Sequence, residues 1–411
     1  MMEFLYNGSI LVVDLESRAC EERPFPQGFA ASALGGARAN LALLREFPQA
    51  GLALGSGPFT GLPVPGACLS VATWREGGSF THTPLHLFAG VELKLSGFDF
   101  VVVQGSSAEP LYLWLHDGIA DLEPAAGLPR DNWEAVDSLR RELGEDLVQV
   151  LIAGEGPCLG LGYWASADRV GLGRAWREMG LRAVCARGLG ILDAADPEGF
   201  AGACADLVGE VRASLPEGRH GLEGILGLLR GKDCDYPLPL LHRRRSCFAC
   251  PYDCNDFLKT EEDPSLMGQE GEEEPGMLLT DARSLGLLEE AGADLREGVR
   301  LLRWASRLGA FPAGAAKAGT QAAEEELLAA GPEGWEREEG PFSSWAPPLP
   351  LPGGADRKER QALGYTLGIC PLLMMLSPAL TPQALCDLLE KGMELEISPE
   401  ELVGLCVEAA G

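Results

Sequence analysis

Three thiols at C-x2-C-x3-C spacing lie in one short stretch, Cys247-Phe248-Ala249-Cys250-Pro251-Tyr252-Asp253-Cys254. That spacing lets three sulfurs turn inward from one tight loop. A soft metal centre wants this geometry, and an iron–sulfur cluster needs one more thiolate from elsewhere. The candidate for the fourth is Cys370, in Gly368-Ile369-Cys370-Pro371. A zinc site normally pairs two short Cys/His clusters, and the chain has no second C-x2-C or histidine pair. A disulfide would waste the triple spacing. The residues therefore read as a [4Fe–4S] cluster on Cys247, Cys250, Cys254 and Cys370, with zinc as the alternative.

The basic run His242-Arg243-Arg244-Arg245 immediately precedes the cysteines. Cations beside a negatively charged cluster raise its potential, and they can also dock an acidic redox partner. The competing reading is a solvated basic turn. His82 and His86 stand four apart, but Pro84 between them disfavours a helical metal pair. Glu272, Glu273 and Glu274 read as part of a solvated acidic loop. Gly171-Leu172-Gly173 is too short for a dinucleotide fingerprint.

The elements that must position the thiols change character along the chain. The first half reads as strands: Ser9–Leu15, Phe98–Val103, a hairpin of Leu111–Leu115 and Gly118–Leu122, Val148–Ala153 and Leu181–Ala186. Helices are expected over Ser32–Phe47 and from Asn132, as N-cap, to about Leu143. The Gly/Pro-punctuated Gly55–Gly66 reads as loop or broken strand. From Asp196-Pro197-Glu198 the period becomes helical and is expected to stay so to the end. Thr381-Pro382 and Ser398-Pro399-Glu400-Glu401 are helix starts, the second with a capping box. Two irregular segments interrupt this half, acidic Glu261–Pro275 and Pro-rich Glu338–Asp356. The fold class expected is α+β, with a β-rich domain over residues 1–195 and a mainly helical, cluster-bearing domain over residues 196–411.

The chain has 411 residues and a formal net charge of −28. That charge argues against nucleic acid or anionic membrane as partners. No apolar run reaches eighteen residues, and the N-terminus lacks the basic start of a signal peptide, so a cytoplasmic protein is expected. In that compartment the twelve cysteines would stay reduced, those outside the cluster set as small core residues.

Taken together, the sequence resembles the aldehyde:ferredoxin oxidoreductases. The resemblance rests on Gly57-Pro58-Phe59-Thr60-Gly61, on Gly90 to Asp99 running into Val101-Val102-Val103-Gln104-Gly105, on the C-x2-C-P-x2-C loop at Cys247, and on Gly368-Ile369-Cys370. It implies a pterin-binding β-rich domain and one [4Fe–4S] cluster beside a tungsten or molybdenum bis-pterin. It also implies oxidation of an aldehyde to a carboxylic acid with ferredoxin as electron acceptor. Departures accompany it. Where the family has a G-R-Y-N pattern this chain has Ala67-Cys68-Leu69-Ser70, and where it has A-N-S-G-G this chain has Thr83-Pro84-Leu85-His86-Leu87. Ser306 and Tyr365 stand in place of two pterin-contacting aspartates, and Val170-Gly171-Leu172-Gly173-Arg174 replaces a richer glycine cradle. A family histidine falls in a stretch this shorter chain lacks. By this reading the cluster is retained and the pterin site is eroded. The alternatives are an electron-transfer or accessory subunit paired with a catalytic partner, or a scaffold stapled by the cluster or zinc. A homodimer is a further expectation from the family.

Overall fold

The computed structural model describes residues 4–76, 78–156, 158–162, 171–215, 221–230, 241–259, 277–280, 306–308 and 356–408. Glu261–Pro275, with its glutamate triplet, and all of the Pro-rich segment before Asp356 lie outside them.

Apolar runs in the first part of the chain form the buried strands Ser9–Asp14, Ala50–Ser56 and Phe100–Gln104 of a six-stranded sheet, whose edge strand Ala19–Pro24 is charged and exposed. In chain order its strands are β1 (Ser9–Asp14), β2 (Ala19–Pro24), β3 (Ala50–Ser56), β4 (Ser70–Glu76), β5 (Ser79–Leu85) and β6 (Phe100–Gln104). They make one sheet in the order β2-β1-β6-β3-β4-β5, with β1 and β6 parallel and every other pair antiparallel. In β1, Leu11 and Val13 enter the main core, while Ile10 joins a second cluster with Phe100, Val102, Leu43 and Leu44. Continuous rather than alternating hydrophobicity is the consequence of being covered on both sides.

Two helices precede β3: α1 (Phe29–Ala33) and α2 (Gly36–Glu46). The single helix expected over Ser32–Phe47 is thus broken. Leu34 adopts φ 55 and Gly35 is extended. This bend lets the Tyr6 hydroxyl donate to the Leu34 carbonyl. Between β5 and β6 runs α3 (Ala89–Leu95), which touches both sheets.

The second sheet contains β7 (Leu111–His116), β8 (Ile119–Pro124), β9 (Gln149–Ala153), β10 (Leu159–Leu161) and β11 (Leu181–Arg187), in the order β10-β9-β11-β7-β8. The expected hairpin is β7–β8, closed by Asp117 and Gly118, both at positive φ. Its right-handed twist is what such mirror-image turns match. The accompanying helices are α4 (Asn132–Leu143) and α5 (Leu172–Met179). The N-cap of α4 is Asp131, not Asn132. The Asp131 carboxylate accepts from the N–H groups of Trp133 and Glu134 at 2.9 and 3.2 Å, while Asn132 is fully buried. An acidic side chain satisfies two free N–H groups and complements the helix dipole.

The second half contains α6 (Pro197–Ser214), α7 (Gly221–Arg230), α8 (Arg357–Leu367), α9 (Pro371–Leu376), α10 (Pro382–Met393) and α11 (Pro399–Val407). The caps fall as expected: Thr381 accepts from Ala384, and Ser398 and Glu401 form a capping box. The expectation of helices alone fails at one place. A three-stranded antiparallel sheet, β12 (Leu241–Arg245), β13 (Asn255–Lys259) and β14 (Met277–Thr280), intervenes. The basic run is therefore strand rather than turn, because its arginines find cross-strand partners. Arg244 pairs with Asp256 in register and with Glu223, and the Arg243 guanidinium lies 4.4 Å from the Phe257 ring centroid.

The fold is thus α+β, β-rich first and helical afterwards. The main core draws side chains from both large sheets, from the cysteine stretch and from α8 to α11. No helix among the described residues is long and apolar enough to cross a membrane.

Candidate functional site

The cysteine loop is the connection of a hairpin. Strands β12 and β13 pair with Arg245 opposite Asn255, so the chain from Ser246 to Cys254 must close over itself. It does so with Cys250 N–H donating to the Cys247 carbonyl at 3.1 Å and with Ala249 at φ 50. The loop is fastened to the start of α7. Tyr252 donates its hydroxyl proton to the Gly221 carbonyl at 2.9 Å, and Gly221 N–H donates to Asp253 at 3.1 Å. Cys247 and Cys254 are buried and Cys250 is half-buried.

Cys370 arrives from the opposite direction. Helix α8 ends at Gly368, whose positive φ lets its N–H close on the Gly364 carbonyl. Cys370 then forms the N-cap of α9, with Pro371 in the first turn, and is buried. The joint between Cys370 and the loop is Gly66. Its N–H donates to the Ala249 carbonyl at 2.9 Å, and its carbonyl accepts from the N–H of Cys370 at 2.9 Å and of Cys68 at 2.8 Å. Gly66 has φ 75, and a Cβ there would lie 2.7 Å from Leu373 Cδ2. Only glycine meets both demands at low cost.

These fastenings bring the thiols together. Cys250 lies within electrostatic range of Cys247 and Cys370. Asn255 bridges two members of the set: its Nδ2 donates to Cys247 Sγ at 3.3 Å, and its Oδ1 faces Cys254 Sγ at 4.0 Å. Cys247 is held below the usual thiol range, first by a hydrogen bond from Cys68 and further by Asn255, the Leu87 N–H and the charge of Arg245, against the cost of burial. The described cysteines are all free thiols. Among the described residues, no three His, Cys, Asp or Glu side chains converge as ligands of one ion. In a four-iron cluster each thiolate binds its own iron. Four reduced, loop-borne thiols with hydrogen-bond donors aimed at sulfur are a donor set that suits such a cluster.

The bis-pterin fares differently. The loop from Gly57 to Gly61 satisfies its polar groups within the chain. Thr60 Oγ1 takes the Gly57 N–H at 2.9 Å, and Lys94 Nζ donates to the carbonyls of Gly57 and Pro58 at 2.8 and 2.9 Å. The face a Cβ of Gly57 would occupy is filled by backbone of Leu367 and Gly368. This glycine serves a chain-to-chain contact rather than an open cradle. Ala67 to Ser70 are fully buried, and Thr83 to Leu85 belong to β5, paired with β4. Ser306 and Tyr365 are buried as well. Gly173 packs on the Cys158 carbonyl. These positions, Arg174 apart, offer neither the cations nor the carboxylates that pyrophosphate and pterin edges require, so they do not fit this group.

Lys94 is fully buried, and its ammonium stands 4.5 Å from the Tyr6 ring centroid. Burial pulls its pKa down to about 7, opposed by the charge of Asp99. Burial raises the Asp99 carboxyl to about 6, opposed by Lys94 and by N–H donors from Ser9, Asn7 and Gly8. His82 and His86 are buried in and just after β5, and His82 Nδ1 lies 2.8 Å from Thr73 Oγ1. His82 is thus engaged inside the sheet, as expected of a core histidine.

Sequence reasoning brought the four cysteines to notice but missed Gly66, Cys68 and Asn255. Their partners are far away in the chain, and no local spacing marks them.

Comparison with known proteins agrees with this architecture. Residues 10–188 match the family model described as "Aldehyde ferredoxin oxidoreductase, N-terminal domain". The tungsten-containing aldehyde ferredoxin oxidoreductase of Pyrococcus abyssi is 25% identical over 302 residues, covering 61% of this chain and 48% of that protein. The corresponding protein of Pyrococcus furiosus is 27% identical over 244 residues, covering 50% of this chain and 40% of its own length. The chain spans about half the length of the curated relatives it matches. Among solved structures, the active site complex BamBC of benzoyl coenzyme A reductase with 1,5-dienoyl-CoA shares the fold. Its TM-score is 0.74 at 16% identity, over 98% of this chain and 88% of that one. The matched N-terminal domain, the curated relatives and the shared fold make this chain similar to the aldehyde ferredoxin oxidoreductases.

Proposed function

We propose that this chain is an electron-transfer member of the aldehyde ferredoxin oxidoreductase family, holding one [4Fe–4S] cluster on Cys247, Cys250, Cys254 and Cys370. The observation that carries the reading is the joint at Gly66, which ties the cysteine loop and Cys370 to one backbone position. When bound, the cluster supplies one-electron storage. The chain's own residues do the rest. Asn255 and the Leu87 N–H donate toward Cys247 and favour its thiolate. Half-buried Cys250 marks the side nearest solvent, where a redox partner would approach. Arg245, on the adjoining strand, adds positive charge beside Cys247.

The partner is a ferredoxin or a catalytic subunit that carries the substrate chemistry. The reading of an accessory subunit is supported by the poor fit of the pterin positions and by the fold shared with a component of a multi-chain complex. The division at residue 195, with the pterin-type domain before it and the cluster domain after it, belongs to the same proposal.

The relatives' names support a second reading, oxidation of an aldehyde to a carboxylic acid with ferredoxin as acceptor. One experiment separates the two. Protein purified without oxygen is analysed for iron, zinc, tungsten, molybdenum and pterin, and the dithionite-reduced sample is examined by EPR. The proposal expects about four iron per chain and a reduced-cluster signal, without tungsten, molybdenum or pterin. Tungsten or molybdenum with pterin, together with aldehyde-dependent reduction of a ferredoxin, would establish the second reading. Zinc, or no metal at all, would refute both.

A further inference from the structure

Cys68 is fully buried, at the end of the turn that Gly66 begins. Its N–H shares the Gly66 carbonyl with the N–H of Cys370. Its thiol lies within reach of the sulfurs of Cys247, from the hairpin loop, and Cys370, from the start of α9, and these neighbours, with burial, push it above the usual thiol range. Three segments far apart in the chain therefore present thiols to one another, and the middle one is not among the four proposed ligands. Its chain neighbours Ala67 and Leu69 are buried apolar residues of the main core. A thiol carries one proton and can give it to either sulfur acceptor.

We infer that Cys68 is a positioning residue of the metal centre, a fifth thiol that donates its S–H hydrogen bond to the ligand sulfurs of Cys247 and Cys370 and so raises the cluster's reduction potential. The inference rests on the cluster reading above. Its physical basis is that the reduced cluster carries one more negative charge than the oxidised one. A donor aimed at ligand sulfur therefore stabilises the reduced state more, and hydrogen bonds to sulfur are among the factors that set such potentials. A thiol suits this place because it is small enough for a closed core and polar enough to donate, whereas an alanine of similar shape donates nothing.

The test uses full-length protein purified without oxygen, as wild type, Cys68→Ala and Cys68→Ser, with Cys370→Ala as the ligand control. Iron per chain is measured first, then the midpoint potential by EPR-monitored titration. Wild-type protein without iron would remove the cluster reading and this inference with it. With iron present, the inference expects Cys68→Ala to keep its full iron content and show a lower potential than wild type. Cys68→Ser, whose hydroxyl also donates, is expected to return most of the way. Cys370→Ala is expected to lose iron. Unchanged potential in iron-replete Cys68→Ala overturns the inference while leaving the cluster reading intact. So does loss of iron from both folded Cys68 variants while Cys370→Ala retains it, since Cys68 would then be a ligand. Should Cys68→Ala fail to fold, Cys68→Ser decides between these outcomes by iron content, and Cys68→Thr, which keeps a donor hydroxyl, is expected to match its potential; a Thr value well below the Ser value overturns the inference.

Discussion

The carbonyl of Gly66 accepts the backbone N–H of Cys370 at 2.9 Å. Through its own N–H the same residue holds the carbonyl of Ala249 in the cysteine loop. The fourth thiol and the three clustered ones are thus indexed to a single peptide unit in a third part of the chain. Replacing Gly66 by alanine keeps both hydrogen bonds possible in principle but forces a left-handed conformation on a residue with a Cβ, which also presses on Leu373. The expected cost is about 1–3 kcal/mol of stability, with reduced iron content. Urea denaturation and iron analysis of Gly66→Ala check both, and a wild-type midpoint with full iron would show that the joint is dispensable.

Asn255 is fully buried with its amide between Cys247 and Cys254. Replacement by leucine removes the donor to Cys247 Sγ and leaves a side chain of similar size. On the proposed cluster reading the reduced state then loses a stabilising hydrogen bond, so the midpoint potential should fall while iron remains bound. Voltammetry of Asn255→Leu beside wild type measures the difference.

The buried pair of Lys94 and Asp99 gives folding stability a pH dependence whose sign is fixed. Lys94 has a folded pKa of about 7 against an ordinary value of 10.5. Between those values the unfolded chain holds a proton that the folded chain has released, so this site's contribution to stability rises with pH. Asp99 is raised from 3.8 to about 6. Across that lower window the folded chain holds the extra proton, and stability falls as pH rises. Denaturation from about pH 7 to about pH 9 should therefore show the wild-type advantage over Lys94→Met increasing. A constant difference would show that Lys94 stays charged when folded.

The arginines before the loop separate into two kinds. Arg244 is engaged with Glu223 at 3.6 Å and with buried Asp256 at 3.8 Å. Arg243 lies exposed on the edge of the strand. Arg244→Gln should lower stability by leaving a buried carboxylate without its cation, by about 3 kcal/mol or more. Arg243→Glu, which gives up the contact with the Phe257 ring, should cost only about 0.5–1 kcal/mol but slow reduction by an acidic ferredoxin, by up to about tenfold at low ionic strength. Stopped-flow reduction at low and high salt tests the second expectation, and equal rates at low salt would dismiss Arg243 as a docking residue.

The sequence by itself determined the spacing on which the proposed ligand set rests and most of the framework. Cys247, Cys250 and Cys254 stand out because a C-x2-C-x3-C loop can turn its sulfurs inward. Cys370 followed from its Gly-Ile-Cys-Pro setting and the family resemblance. Doubly buried strands such as β1 and β6 are legible as unbroken apolar runs, and the starts of α10 and α11 as capping residues before proline. Only the tertiary structure decided what surrounds the thiols. Sheet order and helix packing place Gly66 between the loop and Cys370, put Cys68 against two of the proposed ligands and aim Asn255 at Cys247. It also decided that Arg243 to Arg245 form a strand, since their partners Asp256 and Phe257 lie across the hairpin. Local periodicity encodes a residue's relation to its own helix or strand; contacts between distant segments depend on how those elements pack, and no spacing within one segment records it.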